Sequence, residues 1–283
     1  MSQRPSSPIG VFDSGYGGLT VLKELVKILP EYDYLYLGDN ARAPYGTRSY
    51  ETVYKFTLEC VRYLFDSGCH LVILACNTAS AKALRTIQQQ DLLLIDSSRR
   101  VLGVIRPSAE AVGALTQSQS VGILGTTGTV RSESYIIEIK KLFPNIQVYQ
   151  QDCPMWVPLV ENGEWESDGA DYFVQESIKK LFVQCATIDT VVLACTHYPL
   201  LIKKIRHFLP DGVQILSQGE LVAKSLLSYL QRHPEMSEMC SKSGRRDFLT
   251  TDNTELFDRH AAIFFGEEVK SQQISVIPYN PTL

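Results

Sequence analysis

Residues 191–200, Val-Val-Leu-Ala-Cys-Thr-His-Tyr-Pro-Leu, put a thiol, a hydroxyl and an imidazole in three consecutive positions: Cys195, Thr196 and His197. A thiol beside an imidazole can act as nucleophile, metal ligand or proton-transfer group. A second stretch, residues 72–80, reads Val-Ile-Leu-Ala-Cys-Asn-Thr-Ala-Ser and again closes an apolar run on Ala-Cys before polar residues. Two thiols suit one reaction well. Inverting a carbon that carries one acidic proton needs a base on one face and an acid on the other. A thiol with an ordinary pKa near ~8.5 serves as either with modest tuning. Such a step calls for no cofactor.

The elements that must position these thiols follow from the flanking residues. Val191–Ala194 reads as a fully buried parallel strand, and Pro199 is compatible with the opening of a helix behind it. Cys76 and Cys195 are 119 positions apart (195 − 76), and Gly10 of Ile9-Gly10-Val11-Phe12-Asp13-Ser14 precedes Gly122 of Val121-Gly122-Ile123-Leu124-Gly125-Thr126 by 112 (122 − 10). Two similar offsets suggest two related units, each presenting one cysteine at a strand end. Carboxyl ends of parallel strands are where open α/β sheets bind ligands.

Strand and helix patterns alternate along the chain, which predicts an α/β fold. The expected architecture is two pseudo-symmetric doubly wound domains with mainly parallel sheets and an active site in the cleft between them. Residues 1–100 with 212–283 form the expected first domain and residues 101–211 the second. Ser49 is expected to cap a helix that stops at Gly68. One helix is expected over 132–143, an irregular stretch over 233–244 and a last strand over 274–277.

Composition narrows the function classes. The 283 residues carry a net charge of −4, with 45% hydrophobic and 20% charged residues. That is a globular balance without the basic footprint of a nucleic-acid binder. Residues 1–8 are a polar tail with no apolar core of a signal peptide, and no apolar run approaches the ~20 residues that span a bilayer. Seven cysteines, an odd number in no framework spacing, indicate reduced thiols and a cytoplasmic setting.

Each candidate has a plainer reading. Cys60, Cys69, Cys153, Cys185 and Cys240 read as small buried hydrophobes. His197 could be a core histidine, and Asp13 could merely cap the helix after it. Gly15, Gly17 and Gly18 match neither a nucleotide fingerprint nor a P-loop, so they mark a tight turn or a close approach. Asn77, Thr78 and Thr196 could be loop hydrogen bonders or could hold a carboxylate. Mirrored cysteines are harder to explain by packing alone.

Taken together, Asp13-Ser14-Gly15-x-Gly17-Gly18-Leu19-Thr20, Pro44-Tyr45-Gly46, Ala75-Cys76-Asn77-Thr78-Ala79, Val157-Pro158-Leu159-Val160-Glu161 and Cys195-Thr196-His197-Tyr198-Pro199-Leu200 resemble the glutamate racemases of the aspartate/glutamate racemase family. The resemblance runs from about residue 9 to 266. It implies a cofactor-independent racemase, expected to be a homodimer, that supplies D-glutamate for peptidoglycan. Cys76 would act on the D-isomer's proton with Asp13 assisting, and Cys195 on the L-isomer's with His197 and Glu161. Asp13, Ser14, Tyr45, Gly46, Asn77, Thr78, Thr196 and His197 would hold the substrate. No metal and no cofactor are expected, and no nucleic-acid or membrane partner. Aspartate racemase is the nearest alternative. A zinc protein using Cys76, Cys195, His197 and Asp13 would lack the usual C-x₂₋₄-C pairs. A two-lobed solute-binding module would have no need of mirrored thiols. Tyr16 and Ala194 depart from the family pattern, which more often has a small aliphatic residue and a glycine there.

Overall fold

A computed structural model of the chain describes residues 7–278. Of the expected polar tail only Ser7 and Pro8 fall among the described residues, and Ser7 is pinned by its hydroxyl to the Gly68 carbonyl at 2.8 Å. Ten strands are described: β1 Ile9–Asp13, β2 Tyr34–Gly38, β3 Leu71–Leu74, β4 Arg100–Gly103, β5 Ser120–Gly125, β6 Gln147–Asp152, β7 Thr190–Ala194, β8 Gln214–Leu216, β9 Arg246–Thr250 and β10 Ser271–Gln273. They form two sheets, ordered β10-β9-β2-β1-β3-β4 and β6-β5-β7-β8, and every described pairing is parallel. The order β2-β1-β3-β4 therefore recurs as β6-β5-β7-β8, the duplication that the cysteine and glycine offsets imply.

Central strands are buried on both faces, which is why they read as continuous apolar runs. Successive side chains still alternate. Val191 and Leu193 of β7 join one large core with Ile9 and Val11 of β1, while Val192 and Ala194 enter a separate core behind the second sheet. Phe12 of β1 points with Val72 and Leu74 of β3 into a third cluster behind the first sheet. Helices cover these faces, giving an α/β fold in two lobes. The helix Tyr50–Asp66 starts where expected, with Ser49 Oγ accepting from the Thr52 N–H at 3.2 Å, and Gly68 follows it at φ 95°.

The chain passes from the first sheet to the second after Gly103 and back after Leu216, because β4 pairs with β3 and β8 with β7. Some local expectations are corrected. The helix expected over 132–143 is present as Ser134–Leu142, and a short helix that the sequence pattern did not mark, Thr127–Arg131, precedes it, the two separated by Glu133 at φ 55°. Ser132 explains the break: its hydroxyl bonds the Thr129 carbonyl at 2.6 Å and accepts from the Ser134 N–H at 3.2 Å, satisfying backbone that a continuous helix would use. Residues 233–244 contain the helix Pro234–Met239, with proline in the first turn and Met236 buried inside. The last strand is Ser271–Gln273 rather than 274–277. Its partner β9 runs out at Thr250, opposite Gln273, leaving the apolar residues Ile274 and Val276 to pack on the core instead.

Candidate active site

The strand order turns at β1/β3 in the first lobe and at β5/β7 in the second. The carboxyl ends of these four strands carry Asp13, Cys76, Thr126 and Cys195. Both cysteines line one cavity of about 110 Å³ between the lobes, together with Ser14, Tyr45, Gly46, Asn77, Thr78, Thr126, Glu161, Thr196 and His197. Hydrogen bonds cross from lobe to lobe beside the cavity. The Gly128 N–H donates to the Gly46 carbonyl at 2.8 Å, Thr78 and Thr126 share a hydroxyl contact at 2.9 Å, and the Thr20 hydroxyl donates to the Thr196 carbonyl at 3.0 Å.

Cys76 caps the helix Asn77–Lys82, its sulfur accepting from the Ala79 N–H at 3.4 Å, and its S–H meets Ser14 Oγ at 3.5 Å. The first N–H groups of that helix have no intrahelical acceptor, so Asn77 and Thr78 bring backbone donors as well as side chains. Asp13 is buried. It does not cap the helix Leu19–Ile28; Oδ1 accepts from the Gly15 N–H at 2.9 Å and Oδ2 from the Thr196 hydroxyl at 3.4 Å. Burial pushes the Asp13 carboxyl up, against the pull of His197's charge. Burial, reinforced by Asp13's negative charge, pushes the Cys76 thiol up to about 12, so Cys76 holds its proton at neutral pH.

The second wall differs. His197 Nδ1 lies 3.9 Å from Cys195 Sγ, and its Nε2 lies 3.0 Å from Glu161 Oε1. Burial opposes a charged imidazole, yet the hydrogen bonds to Cys195 and Glu161 outweigh it and raise His197 to about 10. The ring is an imidazolium at neutral pH. The two sulfurs thus sit in opposite fields, Cys76 beside a carboxyl and Cys195 beside a cation. Phe264 packs edge-on against His197 with centroids 5.2 Å apart, and Glu161 ends the helix Trp156–Glu161, anchored by buried Trp156 against Tyr198.

Gly17 packs tightly against the facing lobe. A Cβ there would stand 2.2 Å from Thr196 Oγ1 and 2.5 Å from His197 Nδ1, so the glycine turn admits the facing lobe and not only a ligand. Tyr45 lines the cavity, but its hydroxyl donates to Asp39 Oδ2. Gly46 lies against Thr126, which a Cβ on Gly46 would meet at 3.0 Å. Tyr16, a departure from the family pattern, stacks on His260 at 4.8 Å beside Phe264. Asp13, Cys76, Cys195 and His197 do not assemble as three or more metal ligands among the described residues.

Sequence reasoning missed Thr126, Thr127, Cys153 and Pro154 on the cavity wall. Thr126 was within reach of it: the offset of 112 that pairs Gly10 with Gly122 also pairs Ser14 with Thr126 (14 + 112 = 126). Asp13 pairs in the same way with Gly125, so the second lobe has no matching carboxyl at its strand end; there His197, paired with Glu161, lies beside Cys195 instead.

Residues 9–226 match the model of the Asp/Glu/hydantoin racemase family. Glutamate racemase of Geobacter metallireducens is 40% identical over 262 residues, 93% of this chain and 94% of that one. The crystal structure of glutamate racemase from Francisella tularensis in complex with D-glutamate superposes with a TM-score of 0.86 at 32% identity, covering 98% of this chain and 100% of that chain. A glutamate racemase isoform from Bacillus anthracis gives 0.85 at 32% identity, with 96% and 99% covered. An aspartate racemase homologue from Pyrococcus horikoshii, 17% identical at a TM-score of 0.50 over 80% of this chain and 99% of that chain, shares the fold alone. No helix among the described residues is long and apolar enough to cross a membrane. With the matched model spanning most of the chain and glutamate racemases similar over nearly all of it, the chain belongs to the Asp/Glu/hydantoin racemase family of amino-acid racemases.

Proposed function

We propose that the protein interconverts L- and D-glutamate by moving one proton between two thiols, without a cofactor. The observation that carries this reading is the pair of mirrored cysteines, one from each lobe, lining a single cavity.

In the L→D direction Cys195 takes the α-proton as a thiolate. Negative charge on its sulfur is stabilised by the adjacent His197 imidazolium, which Glu161 orients. The C–H electron pair passes to the α-carbon and its carboxylate. Cys76, which enters the cycle as a thiol, delivers its proton to the opposite face and is left as thiolate beside Asp13. The reverse reaction swaps the roles. Donors from Asn77, Thr78, Ser14, Thr196 and the Tyr45–Gly46 backbone hold the two carboxylates, since a buried charge is tolerated only when it is hydrogen-bonded. The aspartate alternative is not favoured, because the extensive similarities above are to glutamate racemases.

Incubation with L-glutamate and no added cofactor, followed by chiral separation, tests the activity. Cys76→Ser and Cys195→Ser are each expected to abolish net racemisation in both directions while the fold survives. Full activity in either variant would refute the two-thiol assignment. In deuterated water the product gains deuterium at the α-carbon before the substrate pool does. The role in peptidoglycan supply, the cytoplasmic location, the homodimer and the two-domain division follow from the same reading. Sedimentation of the purified protein tests the dimer.

A further inference from the structure

Asn77 follows Cys76 and lines the cavity, yet most of its amide is committed elsewhere. Asn77 Nδ2 donates to Gln218 Oε1 at 2.6 Å, Gln218 Nε2 donates to the Tyr135 hydroxyl at 2.6 Å, and that hydroxyl donates to Asn77 Oδ1 at 2.7 Å. Three side chains thus close a ring of hydrogen bonds. Gln218 Nε2 spends its other hydrogen on Ser108 Oγ at 2.8 Å, with the Val104 carbonyl at 3.4 Å, and the Ser108 hydroxyl itself donates to the Val104 carbonyl at 3.0 Å. Gln218, Asn77, Ser108 and Tyr135 are 5%, 3%, 0% and 0% exposed. Such a network leaves little choice of orientation, because any reversal buries a mismatched donor or acceptor.

The accounting has one remainder. Each hydroxyl donates once, both Gln218 amide hydrogens are used, and the Asn77 carbonyl is taken. Among the described residues, the second hydrogen of Asn77 Nδ2 is the only donor of the ring without a protein acceptor. We propose that Gln218, which does not line the cavity, is a positioning residue: it fixes the Asn77 amide so that an N–H, not a carbonyl, faces the substrate carboxylate beside Cys76. The placement has a further consequence. Val104 and Ser108 lie on the first crossover between lobes, Gln218 just after the second, Asn77 in the first lobe and Tyr135 in the second. The orientation of one substrate donor is therefore set where both crossovers meet, and it holds only when the lobes are closed as they are here.

The proposal rests on the racemase reading for its substrate, so one test is independent of turnover. In ¹⁵N spectra of the free wild-type protein, the Asn77 side-chain pair, assigned by its loss in Asn77→Ala, is expected to show one hydrogen-bonded and one free hydrogen. Glutamate should move the free one. Gln218→Leu should erase the difference, whereas Tyr135→Phe, which leaves the Asn77–Gln218 contact in place, should keep it. In kinetics, Gln218→Leu is expected to raise KM roughly tenfold, the value of one lost hydrogen bond to a charged group, with a smaller effect on kcat. The double variant Asn77→Ala/Gln218→Leu should be no worse than Asn77→Ala within about twofold, because Gln218 acts through Asn77. Equivalent Asn77 hydrogens in the free protein, an unchanged pair in Gln218→Leu, or losses that multiply in the double variant would overturn the proposal. Absence of racemisation by the wild type would instead count against the proposed function, and the free-protein spectrum would still decide the Gln218 contact.

Discussion

Replacing Gly17 by alanine probes the seam between the two halves of the site with a single methyl group. That Cβ would stand 2.2 Å from Thr196 Oγ1, 2.5 Å from His197 Nδ1 and 2.7 Å from His197 Cε1. Attractive contact begins near ~3.5 Å, so the Thr196–His197 loop must retreat by roughly 1 Å. It has little freedom to do so: Thr20 holds the Thr196 carbonyl at 3.0 Å, Glu161 holds His197 at 3.0 Å, and Phe264 backs the imidazole. Overpacking of this kind costs about 1–3 kcal/mol of stability. A 1 Å displacement of a group that must meet the α-proton costs about 100-fold in rate. Gly17→Ala should therefore fold with a lowered melting temperature and lose about two decades in kcat/KM, read by circular dichroism of glutamate starting from either isomer. The two isomers have equal free energy, so kcat/KM must fall equally in both directions. Only kcat and KM separately can reveal which wall moved. Gly15→Ala is the control, since its Cβ would meet Glu161 Oε1 and Asn40 Nδ2 at ordinary distances of 3.7 and 3.8 Å. A Gly17→Ala protein within threefold of wild type, or a Gly15→Ala protein equally damaged, would refute the argument.

Stability should depend on His197. Its folded pKa of about 10 lies above the ~6.5 of an unfolded histidine, so its contribution is complete below about pH 6.5 and is lost as pH rises toward 10. Thermal melts of His197→Asn should accordingly fall less steeply with pH between about 7 and 10 than those of wild type; parallel profiles would contradict the protonated ring. Thr126→Val removes the hydroxyl that meets Thr78 at 2.9 Å and caps the Thr129 N–H at 3.2 Å, and should raise KM roughly tenfold at a stability cost of about 1 kcal/mol. Trp156→Ala empties a fully buried site on the helix that carries Glu161, and chemical denaturation should show a loss of about 3–5 kcal/mol together with reduced turnover.

The α/β class, the duplication and the two cysteines at strand ends were legible in the sequence, for local reasons. Apolar runs of four or five residues between helical patterns specify strands buried on both faces, and a repeated Ala-Cys after such a run marks the strand's carboxyl end without reference to any other residue. The Ser49 cap and the Gly68 stop were equally local. Tertiary structure decided what depended on partners far along the chain. The strand expected at 274–277 failed because β9 ended first, and the short helix Thr127–Arg131 stayed separate from the expected one because Ser132 could satisfy backbone from its side chain. The roles of Asp13 and Gly17 could be read only once Thr196, 183 positions from Asp13, was brought against both. Gln218 carried no motif; it acquires its place because two crossovers and both lobes converge on its amide. Periodicity encodes which face of an element is buried, whereas the field around a thiol is the sum of charges that only the closed chain assembles.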